Sequence, residues 1–177
     1  MLKTRISKSR KISTKLLGLL NNSLSDQITA ISTYLVQSEL AAGWGFLRLH
    51  ALFKKEAIEE MHHVHLLMER VVFFDEVPKF KLKEVDPGMS VEAMINHNIE
   101  LEEDAIRNYN LVIQQAREEK DNGTVVLIEK LLQDEESHYD WLTSQKSVIE
   151  RVGIERYLAA MREDPNHDED DDDDDDD

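Results

Sequence analysis

The sequence predicts an all-α protein: a bundle of four long helices with one long crossover connection and a short fifth helix near the C-terminus. The 177 residues include only six Gly and three Pro, too few for a turn-rich all-β architecture. Four stretches of about 25–30 residues carry apolar side chains at spacings of three and four, the pattern of an amphipathic helix. A hydrophobic content of 41% supports a core for a single domain of this length.

Gly, Pro and capping residues set the bounds of the predicted helices. We predict helices over Ser13–Glu39, Phe46–Phe74, Val91–Glu119, Thr124–Val152 and Ile154–Met161. Ser90 stands where it can cap the third helix, and Asn122-Gly123 is predicted to form a tight turn before the fourth. The turns after the first and third helices are short, which predicts antiparallel hairpins. The connection of about 16 residues between the second and third can run the length of the bundle.

Charge is distributed unevenly along the chain, which has a formal net charge of −16. Residues 1–15 contain six basic and no acidic side chains, and residues 168–177 are ten consecutive acids. We predict a basic arm over residues 1–12, a folded domain over 13–161 and a disordered acidic tail over 162–177. The arm is interpreted as a solvated terminus or as an organelle transit peptide, and the tail as a chelator of hard cations or as an aid to solubility.

Composition also excludes several functional classes. The chain has no cysteine, which excludes disulfide scaffolds, thiolate zinc or iron sites and thiol catalysis. An acidic protein with one short basic arm is a poor binder of nucleic acid. No stretch approaches the ~20 apolar residues needed to span a bilayer. We therefore predict a soluble, cytoplasmic protein with no nucleic-acid or membrane partner.

Ionisable side chains interrupt the apolar stripe of three predicted helices at matching heights. The interruptions are Glu56, Glu60 and His63 in the second helix, Glu102 in the third, and Glu135 and His138 in the fourth. Buried carboxylates and imidazoles are costly unless they are paired or bound to a cation. A single interruption is commonly a satisfied core residue, but three at one height favour a metal site.

Two of the interruptions have the spacing Glu-x-x-His, in Glu60/His63 and Glu135/His138. Residues three apart lie on one helix face, so each pair can hold one metal ion. Together with Glu102 from another helix they supply the ligands of a carboxylate di-iron site. Zinc is the competing metal, and a buried ion network without metal is the alternative interpretation.

The first helix departs from this pattern, because the polar break in its stripe is the neutral Gln27. Asp26 lies ~100° away around the helix and would not point inward. Three Glu against two Fe²⁺ leave one excess positive charge, so we expect one iron position to be weaker than the other. Tyr34, two turns along the same stripe, is interpreted either as a donor of an electron or hydrogen bond, or as a core tyrosine.

The chain resembles the bacterioferritins, haem-containing members of the ferritin superfamily, over roughly Leu16 to Met161. The resemblance is carried by Leu24–Tyr34 (LSDQITAISTY), Glu59–Arg70 (EEMHHVHLLMER), Phe73–Pro78 (FFDEVP), Ile99–Ala105 (IELEEDA), Leu127–Trp141 (LIEKLLQDEESHYDW) and Val152–Leu158 (VGIERYL). It implies a ferritin-like fold and a hollow 24-subunit shell that oxidises Fe²⁺ within each subunit and stores ferric mineral.

The resemblance also implies roles for individual residues. The di-iron ligands would be Glu60, His63, Glu102, Glu135 and His138, with Gln27 where the family has a further glutamate. Lys55 stands where some relatives carry an inner-surface histidine.

Met61 lies ~100° around the helix from Glu60 and faces away from the predicted centre. With residues on the first and second helices it is predicted to form a second apolar face, covered by a partner: Ala57, Val64, Met68, Ile28, Ser32 and Leu35. Spacing alone favours methionine packing at an interface, whereas the resemblance implies that Met61 from two subunits holds one haem b. His62 and His65 are interpreted as solvated or supporting residues.

Two function classes remain open. The first is an iron-storage enzyme, a ferroxidase that oxidises Fe²⁺ with O₂ or peroxide. The second is a non-catalytic, haem-binding shell subunit whose impaired centre relies on a second ferritin subunit type for oxidation. The resemblance also admits a ferredoxin partner for iron release. A rubrerythrin-like peroxidase is disfavoured, because its usual electron-transfer site needs cysteine.

Overall fold

The computed structural model describes residues 11–162, and within them it contains five helices and no strand. The helices are α1 (Thr14–Gly43), α2 (Leu47–Val72), α3 (Val91–Glu118), α4 (Asn122–Val152) and α5 (Ile154–Ala160). α1 packs mainly on α2, α3 packs mainly on α4, and α1 and α3 join the two hairpins. The predicted all-α bundle with a long crossover and a short fifth helix is confirmed. The acidic run 168–177 and most of the predicted basic arm lie outside the described residues.

No helix within residues 11–162 combines the length and apolar character that a bilayer span requires.

Serine side chains begin α1 and α3. The Ser13 hydroxyl accepts a hydrogen bond from the backbone N–H of Leu16 at 3.0 Å, and Ser90 accepts one from Ala93 at 3.1 Å. Such caps are each worth roughly 0.5–2 kcal/mol, since they satisfy N–H groups that have no partner inside the helix. Ser13 also donates to the Glu119 carboxylate at the end of α3. The predicted cap at Ser90 is therefore confirmed.

The predicted turn at Asn122-Gly123 is wrong, because both residues belong to the first turn of α4. The chain reverses earlier, at Lys120, whose backbone is left-handed with φ 57°. Asp121 then acts as the N-cap, since its carboxylate accepts from the backbone N–H of Thr124 at 3.5 Å. An aspartate cap begins the helix before the Asn-Gly pair can form a turn.

The crossover segment, residues 79–83, is held along α1. Backbone N–H groups of alternate residues donate to side-chain oxygens one helical turn apart, Lys79 to Asn21, Lys81 to Ser25 and Lys83 to Thr29, at 2.9–3.1 Å. Two residues of extended chain cover about 6.6 Å and four residues of helix about 6 Å, so the two repeats stay in register. The connection is thereby fixed along the side of the bundle.

Two apolar clusters fill the bundle. The first surrounds Leu20, Leu67 and Leu131, and the second surrounds Phe53, Ile95 and Leu142. Along each long helix a polar residue lies between its contributions to the two clusters. The clusters therefore hold a polar layer at mid-height.

Candidate metal centre

The polar layer is built by side chains from all four long helices. Its members are Gln27 from α1, Glu60 and His63 from α2, Glu102 from α3, and Glu135 and His138 from α4. The first five are buried residues, each 3% exposed or less, and His138 is partly buried. The structure thus brings together the six side chains that the sequence placed around a metal site.

Four ligand groups of this layer converge. One ligand atom from each of Glu60, Glu102, Glu135 and His138 lies within 4.8 Å of the other three. Carboxylate oxygen and imidazole nitrogen are ligands that suit iron, manganese and zinc. We call this the Glu102–His138 half, with Glu60 and Glu135 as carboxylates shared with the other half.

The Gln27–His63 half has a different character. The His63 Nδ1 atom lies 3.1 Å from Glu60 Oε2 and 3.3 Å from Glu135 Oε1. The Gln27 amide nitrogen donates to Glu135 Oε1 at 2.5 Å and to the Tyr109 hydroxyl at 2.9 Å. This half therefore presents an amide N–H and an imidazole, instead of a carboxylate and an imidazole, to the shared carboxylates.

Each half contacts one buried tyrosine. The Tyr34 hydroxyl donates to Glu102 Oε1 at 2.5 Å, and the Tyr109 hydroxyl accepts from Gln27. Both rings are 1% exposed or less. The structure shows the hydrogen bond expected of Tyr34, while its role as an electron donor stays a prediction. Tyr109 has no predicted role, although it lies seven residues after Glu102, two turns along the same helix.

Four atoms of the centre are buried and make no hydrogen bond: Gln27 Oε1, Glu60 Oε1, Glu135 Oε2 and His138 Nδ1. His138 Nδ1 lies 3.4 Å from Glu135 Oε2 and 3.7 Å from Glu60 Oε1, so these three atoms are in ion-pair contact only. Leaving such an atom without a partner costs roughly 1–3 kcal/mol. All four are atoms that can coordinate a metal ion, and they belong to one layer. The residues present therefore fit a bound cation.

Burial and the carboxylate–imidazole contacts determine the electrostatics. Burial, reinforced by the charges of Glu60 and Glu135, raises the pKa of Glu102 well above its ordinary value. Burial opposes the imidazolium form, yet the adjacent carboxylates of Glu135 and Glu60 raise the pKa of His63 to about 10 and that of His138 to about 12. Burial also opposes the charge of Glu135, but the two adjacent histidines lower its pKa to about 2. A cation must displace protons to bind here.

Two acidic neighbours were missed as site residues. His138 Nε2 lies 3.2 Å from Glu56 Oε2 and 3.0 Å from Glu59 Oε2. Glu56 was noticed on the stripe without a role, and its spacing of four from Glu60 was the available signal. Glu59 lies off the stripe, and it reaches His138 only through the packing of α2 beside α4.

Cavities lie on two sides of the centre. Between α1, α3 and the crossover segment is a cavity of about 90 Å³, lined by Gln27, Glu60 and Glu102 and, outside them, by Asp26, Lys83, Glu84, His97 and Asp104. On the α2–α4 side is a wider cavity of about 510 Å³, lined by Lys55, Ile58, Glu59, His62, His63, Asp134, Ser137 and His138. The centre can therefore be approached from either side.

Met61 projects from α2 away from the centre and is 53% exposed. Ile58, one helical turn before Met61, and Leu35 of α1 are exposed as well. Ala57 and Val64 are buried inside the bundle, and their expected place on the outer face is wrong. Residues four before and three after Met61 are turned about 40–60° from it, here toward the core. The predicted haem role of Met61 stays a prediction.

Comparison with known proteins gives a consistent result. Residues 17–152 match the Ferritin-like domain family. The chain is 31% identical over 144 residues to the bacterioferritin of Mycobacterium bovis, an alignment that covers 81% of this chain and 91% of that protein. It is 32% identical over 146 residues to the bacterioferritin of Brucella melitensis, with 81% and 89% covered. For the bacterioferritin of Streptomyces coelicolor the identity is 30% over 155 residues, with 87% and 93% covered. The chain therefore belongs to the ferritin-like domain family and, within it, to the bacterioferritins.

Proposed function

We propose that this protein stores iron and that its buried centre oxidises Fe²⁺ as substrate. The observation that carries the proposal is the convergence of Glu60, Glu102, Glu135 and His138, with metal-binding atoms that are buried and make no hydrogen bond. A buried layer of this kind is costly to maintain unless a cation compensates it. Membership of the bacterioferritins supports iron as that cation.

In the proposed reaction each half of the centre receives one Fe²⁺, and Glu60 and Glu135 lie between the two ions. Each Fe²⁺ gives up one electron. With two protons, the two electrons reduce O₂ to peroxide, or reduce peroxide to two water molecules. The ferric ions then leave as mineral, and the protons are exchanged with solvent. The hydrogen bond from the Tyr34 hydroxyl to Glu102 supports a role for Tyr34 beside the iron site.

The two halves would not bind iron equally. The Glu102–His138 half has a carboxylate of its own, whereas Gln27 contributes only a neutral amide to the other. Gln27 Oε1 is buried and unpaired, so it can serve as a neutral ligand. We therefore infer that the first Fe²⁺ binds in the Glu102–His138 half and the second binds more weakly.

The proposal extends to the assembly of subunits and to haem binding. Exposed apolar residues around Met61 support burial of this face against a second copy, and the bacterioferritin relatives support homo-oligomeric assembly. We propose a 24-subunit shell with one haem b between paired Met61 side chains. The thioether sulfur of Met61 from each subunit would then hold the haem.

A second candidate function rests on Gln27. Its amide nitrogen donates to Glu135 and so occupies a carboxylate that the second Fe²⁺ would need. In that case the chain is a shell subunit with an impaired centre that binds haem and mineral, while a second ferritin subunit type oxidises iron. A ferredoxin partner for iron release is compatible with both candidates.

Anaerobic Co²⁺ binding followed by aerobic Fe²⁺ oxidation separates these candidates. The ferroxidase predicts two Co²⁺ per subunit and rapid ferric absorbance from the protein alone; Glu135→Ala abolishes both. Glu136→Ala is the matched control, because that neighbouring glutamate is exposed. Binding of one Co²⁺ with slow oxidation would instead support the impaired subunit. Rapid oxidation that survives Glu135→Ala would contradict the di-iron proposal.

A further inference from the structure

The narrower cavity connects the centre to the surface between α1, α3 and the crossover segment. Its inner wall contains Gln27, Glu60 and Glu102, and in the first two of these an oxygen atom is buried and makes no hydrogen bond. Its outer wall is formed by surface residues of the two helices and of the crossover. The cavity therefore leads from solvent directly to oxygen ligands of the proposed iron site.

The ionisable side chains that line this cavity are mostly acidic, and at its outer end their charges are mostly negative. Besides Glu60 and Glu102, the acidic lining residues are Asp26, Glu84 and Asp104, and the lysine among the lining residues is Lys83. A cleft with one sign of charge concentrates ions of the opposite sign and speeds their association. A divalent cation would therefore be drawn to this cavity, with Lys83 as the opposing charge.

Lys83 is held over the outer wall by a specific contact. Its ammonium group forms an ion pair with Asp26, which also accepts from the Asn108 amide at 3.1 Å. The Asp26 side chain is 17% exposed and that of Lys83 is 58% exposed, so the lysine can leave into solvent while the aspartate stays. The backbone N–H of Lys83 remains bound to Thr29, so this movement does not require the crossover to detach.

We propose that Fe²⁺ reaches the centre through this cavity and that Lys83 sets the rate, because its ammonium competes with the incoming ion for Asp26. The inference rests on the proposed function and adds to it a route and a rate-determining residue. Asp26 precedes Gln27 in α1, so an ion held by Asp26 is already beside the weaker half of the centre. Asp26 thus acts as a transient ligand at the surface and not as a member of the centre.

The alternative route is the wider cavity on the α2–α4 side. There Lys55 is paired with Glu59 at 2.9 Å, an arrangement that resembles the Lys83–Asp26 pair. The inner wall of that cavity is formed by the imidazoles of His63 and His138, whereas the narrower one ends at carboxylate and amide oxygens. The α2–α4 cavity also carries carboxylates, Glu59 and Asp134, against Lys55. The outer end of the α1–α3 cavity has three, Asp26, Glu84 and Asp104, against Lys83, and this larger excess of negative charge favours the α1–α3 side.

The test is the anaerobic rate of Co²⁺ binding, measured by stopped-flow absorbance at low ionic strength on the full chain. Lys83→Gln should accelerate binding about threefold or more, and Asp26→Asn should slow it by a similar factor. In the Asp26→Asn background, Lys83→Gln should have little effect, since the competition is gone. Equilibrium Co²⁺ stoichiometry should stay the same in every variant.

Two matched controls make the result specific. Lys81→Gln removes the same charge two residues away, from an exposed lysine in the same segment, and should leave the rate unchanged. Lys55→Gln removes the lysine of the Lys55–Glu59 pair at the α2–α4 cavity. Equal rates for Lys83→Gln and Lys81→Gln would overturn the inference, and so would acceleration by Lys55→Gln alone. If the parent protein bound no Co²⁺ at equilibrium, the proposed metal site would be contradicted, and the proposed route to it as well.

Discussion

The two halves of the metal centre share a frame but differ in one functional group. Each half has one side chain from α1 or α3 that faces the shared carboxylates, a histidine from a Glu-x-x-His pair and a buried tyrosine. In one half this side chain is Glu102, which accepts a hydrogen bond from Tyr34. In the other it is Gln27, which donates its amide to Tyr109 and Glu135. A hydrogen-bond acceptor, the Glu102 carboxylate, in one half therefore corresponds to a hydrogen-bond donor, the Gln27 amide, in the other, and both side chains are packed in the core.

The comparison shows that architecture and charge can be separated in this bundle. The apolar clusters position Gln27 as deeply as Glu102, since both are 2% exposed. The electrostatic effects of the two side chains are opposite. Glu102 adds a third carboxyl group beside Glu60 and Glu135, whereas the Gln27 amide donates a hydrogen bond to Glu135. We therefore expect the two halves to be distinguishable by metal affinity, by proton release and by their tolerance of substitution.

The largest effect is expected from making the halves alike by Glu102→Gln. This variant places a neutral amide in both halves, and Co²⁺ affinity should fall by about 100-fold or more. Iron oxidation should be lost with it. Equilibrium Co²⁺ titration measures the affinity, with exposed Glu100→Gln as the matched control. A variant that binds the first Co²⁺ as tightly as the parent would show that Glu102 is not a ligand.

Gln27→Glu makes the halves alike in the opposite direction. The added carboxylate should strengthen the second cation site and speed oxidation of the first two Fe²⁺ per subunit by tenfold or more (~1.4 kcal/mol). Without metal, one more buried carboxylate should lower the free energy of unfolding through like-charge repulsion. Stopped-flow oxidation and urea unfolding measure the two effects.

The control for that variant is Gln133→Glu, the same change at an exposed position of α4. A rate that barely moves in Gln27→Glu would mean that the amide oxygen of Gln27 is already an adequate ligand. The asymmetry between the halves would then be structural but not functional.

Proton release should also separate the halves. The first Co²⁺ must displace protons from Glu102 and His138, whose pKa values are raised by burial and by the carboxylates respectively. The second displaces the proton of His63 alone, because Gln27 has none to lose. A pH-stat at about pH 7.5 should therefore record more protons for the first equivalent than for the second. Equal release would contradict the assignment of sites.

The raised pKa values of these groups also determine how the stability of the metal-free protein changes with pH. The pKa of His63 is raised to about 10, so its contribution to the stability of the metal-free protein is complete below about pH 6.5 and is lost as the pH rises through 10. His138 and Glu102 act in the same direction, since their pKa values are also raised. Metal-free protein should melt at a lower temperature at pH 9 than at pH 6.5. Co²⁺ should raise the melting temperature more at the higher pH.

How much of this centre the sequence could predict depends on whether a residue acts within its own helix. The 3.6-residue period and the polar breaks placed Gln27, Glu60 and Glu102 at one height, because each position follows from its own helix. The convergence of the proposed ligands in the Glu102–His138 half follows from these single-helix patterns. The contact of Glu59 with His138 depends on how α2 lies beside α4, which no single-helix pattern contains.

Irregular backbone was harder still to predict. The docking of residues 79–83 on α1 needs an extended segment to meet side chains more than fifty positions away. The turn before α4 was misplaced because the cap at Asp121 competes successfully with an Asn-Gly signal. The pairing of Asp26 with Lys83 follows from that docking, so the cavity wall could not be inferred from periodicity.

The smallest expected difference lies between the two tyrosines. Tyr34→Phe removes the hydroxyl that donates to Glu102 and leaves a buried carboxyl group without that partner, which should cost roughly 1.5–3 kcal/mol in the free energy of unfolding. Tyr109→Phe removes an acceptor of the Gln27 amide, which keeps Glu135 as a partner, so the cost should be nearer 0.5–1.5 kcal/mol. Urea unfolding of both metal-free variants measures the order, and Co²⁺ titration should show Tyr34→Phe weakening the first equivalent and Tyr109→Phe the second. A larger loss from Tyr109→Phe would mean that the Gln27 amide depends on Tyr109 more than on Glu135. The donor half would then be the more rigid of the two, and the comparison would be reversed.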